Sequence, residues 1–96
     1  MLIPNSFSLN GSFPNPFNMS TIISFSLDKK ASTELRIYNS AGQQVRKLIN
    51  EILFSGEHKV LWDGKDDQGK SLASGIYIAG LRSNYRSESI KLMLLK

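Results

Sequence analysis

The chain has 96 residues, 41% of them hydrophobic, and no cysteine. A chain of this size forms one domain and buries roughly two-thirds of the surface it exposes unfolded, which suffices for one core; a disulfide framework and a thiolate metal site are both excluded. The net charge is +4 and unevenly placed: acids and bases cancel as far as residue 69, whereas Lys70, Arg82, Arg86, Lys91 and Lys96 stand against Glu88 alone in the remainder. A basic end of this kind favours an anionic partner, and in its plainest form is a solvated face. The chain does not open on a basic segment followed by an apolar run, the mark of a secretory signal. The longest apolar cluster, "IKLMLLK", is far shorter than the about 20 residues a helix needs to cross a bilayer. Met1 therefore reads as the first residue of a domain cut from a longer parent.

Helical periodicity is weak throughout and period-two alternation is strong, which argues for strands. A first strand is predicted near "SFSL", residues 6–9. "TIISFSL" sets Thr21, Ile23, Phe25 and Leu27 on one face, with Ile22, Ser24 and Ser26 opposite. "TELRIYN" sets Leu35 and Ile37 against Glu34, Arg36 and Tyr38. "SAG", residues 40–42, reads as a tight turn, because Gly42 adopts positive φ without steric cost. "QQVRKLI" follows as a shorter strand; Asn50 and the later "SGEH" argue against a helix there. "EHKVLW" aligns His58, Val60 and Trp62, "GIYIAGLR" aligns Tyr77, Ala79 and Leu81, and "SESIKLMLLK" aligns Ile90, Leu92 and Leu94. About seven short alternating strands predict an all-β antiparallel sandwich, immunoglobulin-like and of fibronectin III-like kind, as a single domain over residues 1–96. Leu72, Gly75 and Tyr77 add a local signal. Their L-x-x-G-x-Y spacing fits a tyrosine corner, in which a Tyr at the start of the sixth strand bonds back to upstream backbone.

Candidate sites are few. Asp63, Asp66 and Asp67 in "WDGKDDQG" offer clustered carboxylates to a hard cation such as calcium. Against an EF-hand pattern, however, Lys65 falls on a ligand position, Gln68 replaces the turn glycine and Ser74 replaces the bidentate Glu. The stronger reading is a strand-to-strand loop in which Asp63 accepts backbone N–H bonds and Gly64 and Gly69 take positive φ. Trp62, ending an alternating strand, is read as core, with sugar binding through Trp62 and Tyr38 as the weaker alternative. His58 is the single histidine and has no recognisable nucleophile to serve, so no hydrolase follows. Asn10-Gly11-Ser12 and Asn18-Met19-Ser20 match the glycosylation pattern, which arises often by chance. Pro14, Asn15 and Pro16 form either a docking motif or a rigid lead-in with Phe13 and Phe17 packed beneath. At the C-terminus Met93 and Leu95 face away from Ile90, Leu92 and Leu94. With Lys91 and Lys96 they make an apolar-basic strip, and on a sheet edge this strip would be open to pairing with another chain. Basic residues do not interleave with aromatics, so nucleic acid is not an expected partner, and no cofactor is implied.

In this order the segments "FPNPFNMSTIISFSL", "LRIYNSAGQQVRKL", "SGEHKVLWDGKDDQGKSLASGIYIAGL" and "IKLMLLK" resemble a C-terminal module. It is the FlgD-like immunoglobulin-like domain, with the closely related type A C-terminal sorting domains of the type IX (Por) secretion system. The likeness covers about residues 7–96. It rests on Pro14 to Phe17, on Tyr38 with Gly42 and Val45, and on Gly75 and Tyr77 followed by Lys91. It implies a seven-stranded sandwich at the end of a larger secreted protein, delivered through the periplasm to the medium or outer cell surface. In sorting members it implies a signal read by the outer-membrane translocon, then removal of the domain and attachment of the cargo to lipopolysaccharide. In the hook-capping protein it implies an assembly scaffold. Partners would be secretion or assembly proteins and a parent catalytic domain in cis, and the module itself would not be an enzyme. Two departures stand out: Met19 where members usually carry Pro, and a long "WDGKDDQG" loop that fits FlgD-like members better than the shortest sorting signals.

Overall fold

The computed structural model describes residues 6–96; Met1, and with it the reading of the chain's start, lies outside the described residues. Seven strands follow in order: β1 (Ser8–Phe13), β2 (Thr21–Leu27), β3 (Ala31–Asn39), β4 (Gln44–Leu53), β5 (Gly56–Trp62), β6 (Gly75–Ser83) and β7 (Arg86–Leu94). They build two antiparallel sheets, one ordered β1-β2-β5 and the other β4-β3-β6-β7. β4 has joined β3 in the second sheet. In the constant-type immunoglobulin domain the fourth strand lies in the first sheet, so the arrangement here is the fibronectin III-like one.

The alternation read in the sequence becomes burial. Ile23, Phe25 and Leu27 of β2 are fully buried, as are Leu35 and Ile37 of β3, Ala79 of β6 and Leu92 of β7. They meet between the sheets with Leu81 and Leu94. Trp62 lies at one end of this core, fully buried. Its ring stands 5.5 Å from those of Phe17 and Tyr77, and its Nε1 donates to the Lys65 carbonyl at 3.0 Å. A buried indole needs such an acceptor. The tyrosine corner is present: Tyr77 Oη donates to the Ala73 carbonyl at 2.7 Å. Burial pushes the Tyr77 phenol above its ordinary value.

Two strands depart from the expected bounds. β1 runs from Ser8 to Phe13 rather than over residues 6–9, because its register on β2 shifts between Leu9 and Gly11. The shift lets the strand go on after its alternation has failed. β4 is the longest strand, with 10 residues, rather than a shorter one. Its register on β3 shifts twice, between Leu35 and Arg36 and between Ile37 and Tyr38. Asn50 lies within it, exposed. The turn before β4 is as read: Gly42 has φ 83°, and Asn39 Oδ1 accepts from the Ala41 and Gln43 amides, each at 3.0 Å.

Removing the Tyr77 hydroxyl isolates this corner from the packing around it. Tyr77→Phe should lower the unfolding free energy by about 1 kcal/mol in urea titration, with an unchanged far-ultraviolet spectrum. Unchanged stability would mean that the corner contributes only through its ring.

Candidate functional site

Proline has no backbone N–H and cannot join a ladder as a donor. Pro14-Asn15-Pro16-Phe17 nevertheless leaves the end of β1 and lies along the outer edge of β7, with both X–Pro peptides cis. Asn15 supplies what the prolines lack. Its Nδ2 donates to the Lys91 carbonyl and its Oδ1 accepts from the Met93 amide, both at 2.9 Å. The backbone then takes over: Phe17 N donates to Met93 O at 2.9 Å, and Leu95 N donates to Phe17 O at 2.8 Å. Phe17 makes a parallel bridge to Leu94, and its ring turns inward against Trp62. Thr21 Oγ1 fastens the same segment by donating to the Pro14 carbonyl at 2.6 Å.

Two stretches that the sequence offered as separate partner candidates are therefore one surface. Pro14, Asn15 and Pro16 are exposed beside exposed Lys91, Leu95 and Lys96, with Met93 half-buried between them. Pro14, Pro16 and Leu95 line a shallow cleft of about 370 Å³. A second, of about 220 Å³, opens between Met19, Lys96 and the loop at Asp63 to Lys65. One expectation is corrected here. β7 is a sheet edge, but from Lys91 to Leu95 that edge is already taken by the chain's own segment. A partner meeting this region meets side chains.

The packing beneath the motif is also corrected. Phe17 is buried, but Phe13 is 81% exposed. It stands in register with Ile22, which in turn stands opposite Leu61, so the three form a row on the outer face of the first sheet. Met19 is 80% exposed nearby in sequence. Phe13 thus departs from its expected place beneath the motif with Phe17; Ile22 and Leu61 were not singled out as a surface, because each adjoins a buried neighbour in its strand and exposure depends on what covers the outer face.

The acidic loop is organised around an arginine. Arg46 Nη1 lies 3.1 Å from Asp63 Oδ1 and donates to the Lys65 carbonyl at 3.0 Å, and its Nε stands 3.8 Å from Asp67 Oδ1. Asp63 Oδ1 also accepts from Lys65 N at 3.1 Å. Asp66 Oδ1 accepts from the Gln68 and Lys70 amides at 3.0 and 2.9 Å. Asp67 reaches across to β4, accepting from Lys47 N at 2.9 Å and donating its own amide to Val45 O at 3.0 Å. Gly64 has φ 72°, and a side chain there would touch Leu94 and Phe17. Among the described residues, no three His, Cys, Asp or Glu side chains gather as a metal would require. His58 is half-buried; its Nε2 is 2.8 Å from the Phe54 carbonyl and its ring stacks on Phe25. Because Trp62 is fully buried, Trp62 and Tyr38 cannot together form a sugar platform.

At the far end of the sandwich Arg86 grips Asp28 through two hydrogen bonds of 2.9 and 2.6 Å. That hydrogen bond holds the Asp28 carboxyl below its ordinary value and raises Arg86. Arg86 is thereby withdrawn from the free positive charge of the C-terminal quarter.

These features define an immunoglobulin-like sandwich whose exposed face is built from a proline motif and its last strand. Residues 14–84 match the FlgD Ig-like domain family. That span is well over half of the chain, and the protein belongs to this family. Among curated proteins none matches the chain. Solved structures that share its fold include PorU, PorZ and FlgD. The dimeric latent PorU of Porphyromonas gingivalis aligns with 98% of this chain at a TM-score of 0.75 and 17% identity. PorZ, described as an essential bacterial surface component of the type-IX secretion system of the same organism, aligns with 88% at 0.63 and 19% identity. FlgD of P. aeruginosa aligns with 93% at 0.63 and 17% identity. The chain spans about a tenth of the PorU and PorZ chains, 10% and 11%, and 76% of FlgD. At these identities the likeness is one of fold.

Two substitutions test the site's construction. Asn15→Ala should lower stability by about 1 kcal/mol. Asn15→Asp should cost at least as much at pH 7, since a carboxylate cannot donate to the Lys91 carbonyl, and should move towards wild type at acidic pH, where a protonated acid can donate. Equal damage at both pH values, each referred to wild type, would contradict this. Arg46→Met should lower the melting temperature while millimolar calcium leaves the wild-type value unchanged. A calcium-dependent rise would return the loop to the metal-binding reading.

Proposed function

We propose that this domain is the non-catalytic C-terminal module of a larger secreted or cell-surface bacterial protein. In this reading it passes through the periplasm and is recognised by the outer-membrane export machinery of a type IX system, with a catalytic domain preceding it in the same polypeptide. The observation that carries the reading is the joining of Pro14–Phe17 to Lys91–Leu95 in one exposed surface. Amino-acid positions 76 residues apart in Asn15 and Lys91 come together in a patch where apolar and basic side chains alternate with little compensating acid. The type-IX description of PorZ, whose fold this chain shares, supports the same reading. The non-catalytic role is supported by the chemistry in view: the lone imidazole is bound to a backbone carbonyl, and the clustered acids hold an arginine and loop amides. A second reading, an assembly or spacer module, is favoured by the ordered loop at residues 63–72 and by the shared fold of FlgD.

The test uses substitutions rather than truncation, because loss of β7 would remove the fully buried Leu92 and Leu94 and unfold the domain. Residues 1–96 are fused behind a signal peptide and a fluorescent reporter in a bacterium with a type IX translocon. The wild-type fusion should reach the surface. A variant with Lys91→Glu, Leu95→Ser and Lys96→Glu should melt within a few degrees of wild type and remain in the periplasm. Equal delivery of both, or retention of both, would shift the weight to the assembly reading.

A further inference from the structure

The backbone pairing on the outer edge of β7 stops at Lys91; before it β1 lies alongside, and its Leu9 N donates to the Glu88 side chain rather than to the β7 backbone. The pairing of β7 with β6 runs without a register shift from Arg86 to Leu94. Met93 turns both its N–H and its C=O away from β6, to Asn15 and Phe17, and Lys91 turns its C=O the same way. In an antiparallel ladder a residue directs both groups to the same side, and alternate residues share that side. Ser87 and Ser89 therefore also turn N–H and C=O outward, and so does the Lys91 N–H. Among the described residues none of these five groups has a backbone or side-chain partner. Open edges of this kind are usually blunted by proteins, and the neighbouring half of this same strand is blunted by Asn15 and Phe17.

A groove of about 440 Å³ lies beside the open half, on the outer face of the second sheet. Its floor is low because Gly80 has no side chain and Ser87 and Ser89 have small ones. Tyr38 lies over Gly80, its Cε2 3.4 Å from where a Cβ would be, and the fully exposed Tyr85 stands at the other end. Three of the four charges lining the groove are committed. Glu34 pairs with Arg36 at 3.1 Å, and Glu88 Oε1 accepts from Leu9 N at 2.6 Å. Arg82 stands opposite Glu34 across the ladder, yet Glu34 is turned to Arg36, and Arg82 has no ion-pair partner among the described residues. Lys91, exposed on the same face, is likewise unpaired there.

We propose that the open half of β7 receives an extended acidic segment of a partner protein as an added strand. Its backbone pairs with Ser87, Ser89 and the Lys91 N–H. Strand addition draws affinity from main-chain hydrogen bonds and specificity from slots for alternate side chains. Here the slot is the groove over Gly80, and its free cation Arg82, with Lys91 further along the same face, selects carboxylates. The identity of the partner as export machinery rests on the function proposed above; the edge and its acidic selectivity do not.

The probe is the blocked hexapeptide Ac-Val-Glu-Val-Glu-Val-Glu-NH2, titrated into the 15N-labelled domain, with Ac-Val-Lys-Val-Lys-Val-Lys-NH2 as control. The acidic peptide should shift the amide resonances of Ser87, Ser89 and Lys91 and leave those of Met93 and Leu95 in place. Ser89→Pro removes an outward N–H without touching the β6 ladder, a position where an edge strand tolerates proline. It should abolish the shifts while the remaining spectrum stays that of the folded domain. Arg82→Gln should weaken binding about tenfold, about 1.4 kcal/mol. No shift at millimolar peptide, equal binding of the basic control, or shifts unaffected by Ser89→Pro would overturn the proposal. If the peptide binds as expected and Ser89→Pro is still exported normally, the edge site stands and its assignment to export machinery fails.

Discussion

A segment with two prolines has few N–H groups to offer, and the edge of a β-sheet has a row of groups that need partners. The Asn15 side chain reconciles the two. An amide side chain carries the same donor and acceptor as a peptide unit, and here it occupies the place of one against β7. The rest of the functional end follows from that placement. Phe17 is brought into the core beside Trp62, Pro14 and Pro16 are held outward, and the last strand is fixed so that Lys91 and Leu95 share a surface with them. Sheet one and sheet two are joined at this end by side-chain amide and backbone hydrogen bonds as well as by packing.

Much of the fold was legible because one face of each inner strand is buried and the other is not. β2, β3, β6 and β7 alternate cleanly, and apart from Ser26, buried on the other face of β2, their buried residues are those the alternation selects. The tyrosine corner was legible from three residues at fixed spacing. β4 was not legible in length because its two register shifts break the alternation, and β1 was blurred by the shift before Gly11. Phe13 and Phe17 look equivalent in sequence. Only the crossing of the segment from one sheet to the other decides which ring enters the core, and that crossing has no local signature.

The site was legible in parts and not as a whole. Pro14–Pro16 and the terminal strip each stood out, but their contact spans most of the chain and depends on which edge β7 presents. The acidic loop reads first as a strand-to-strand loop and only secondarily as a cation site, and its partner is not legible in its own residues. Three aspartates within five positions suggest a cation, and the cation they hold is the Arg46 guanidinium from β4, remote in sequence. Its hydrogen bonds also tie the loop over the first half of β4, so one exposed edge is covered by the loop just as half of β7 is covered by the proline segment. The half of β7 whose backbone has no added partner is conspicuous by comparison, and it coincides with the groove over Gly80 and with Arg82 and Lys91, which have no ion-pair partner among the described residues.

The central claim is that Asn15 and Phe17 complete the sheet along the lower half of β7. Amide hydrogen exchange measured residue by residue tests it directly. The Met93 and Leu95 amides, both pointing away from β6, should be protected to a degree comparable with β7 amides bonded to β6, while Ser87 and Ser89 exchange rapidly. Rapid exchange at Met93 and Leu95, at the rate of Ser87 and Ser89, would mean that the edge is bare and that the proline segment does not hold the last strand.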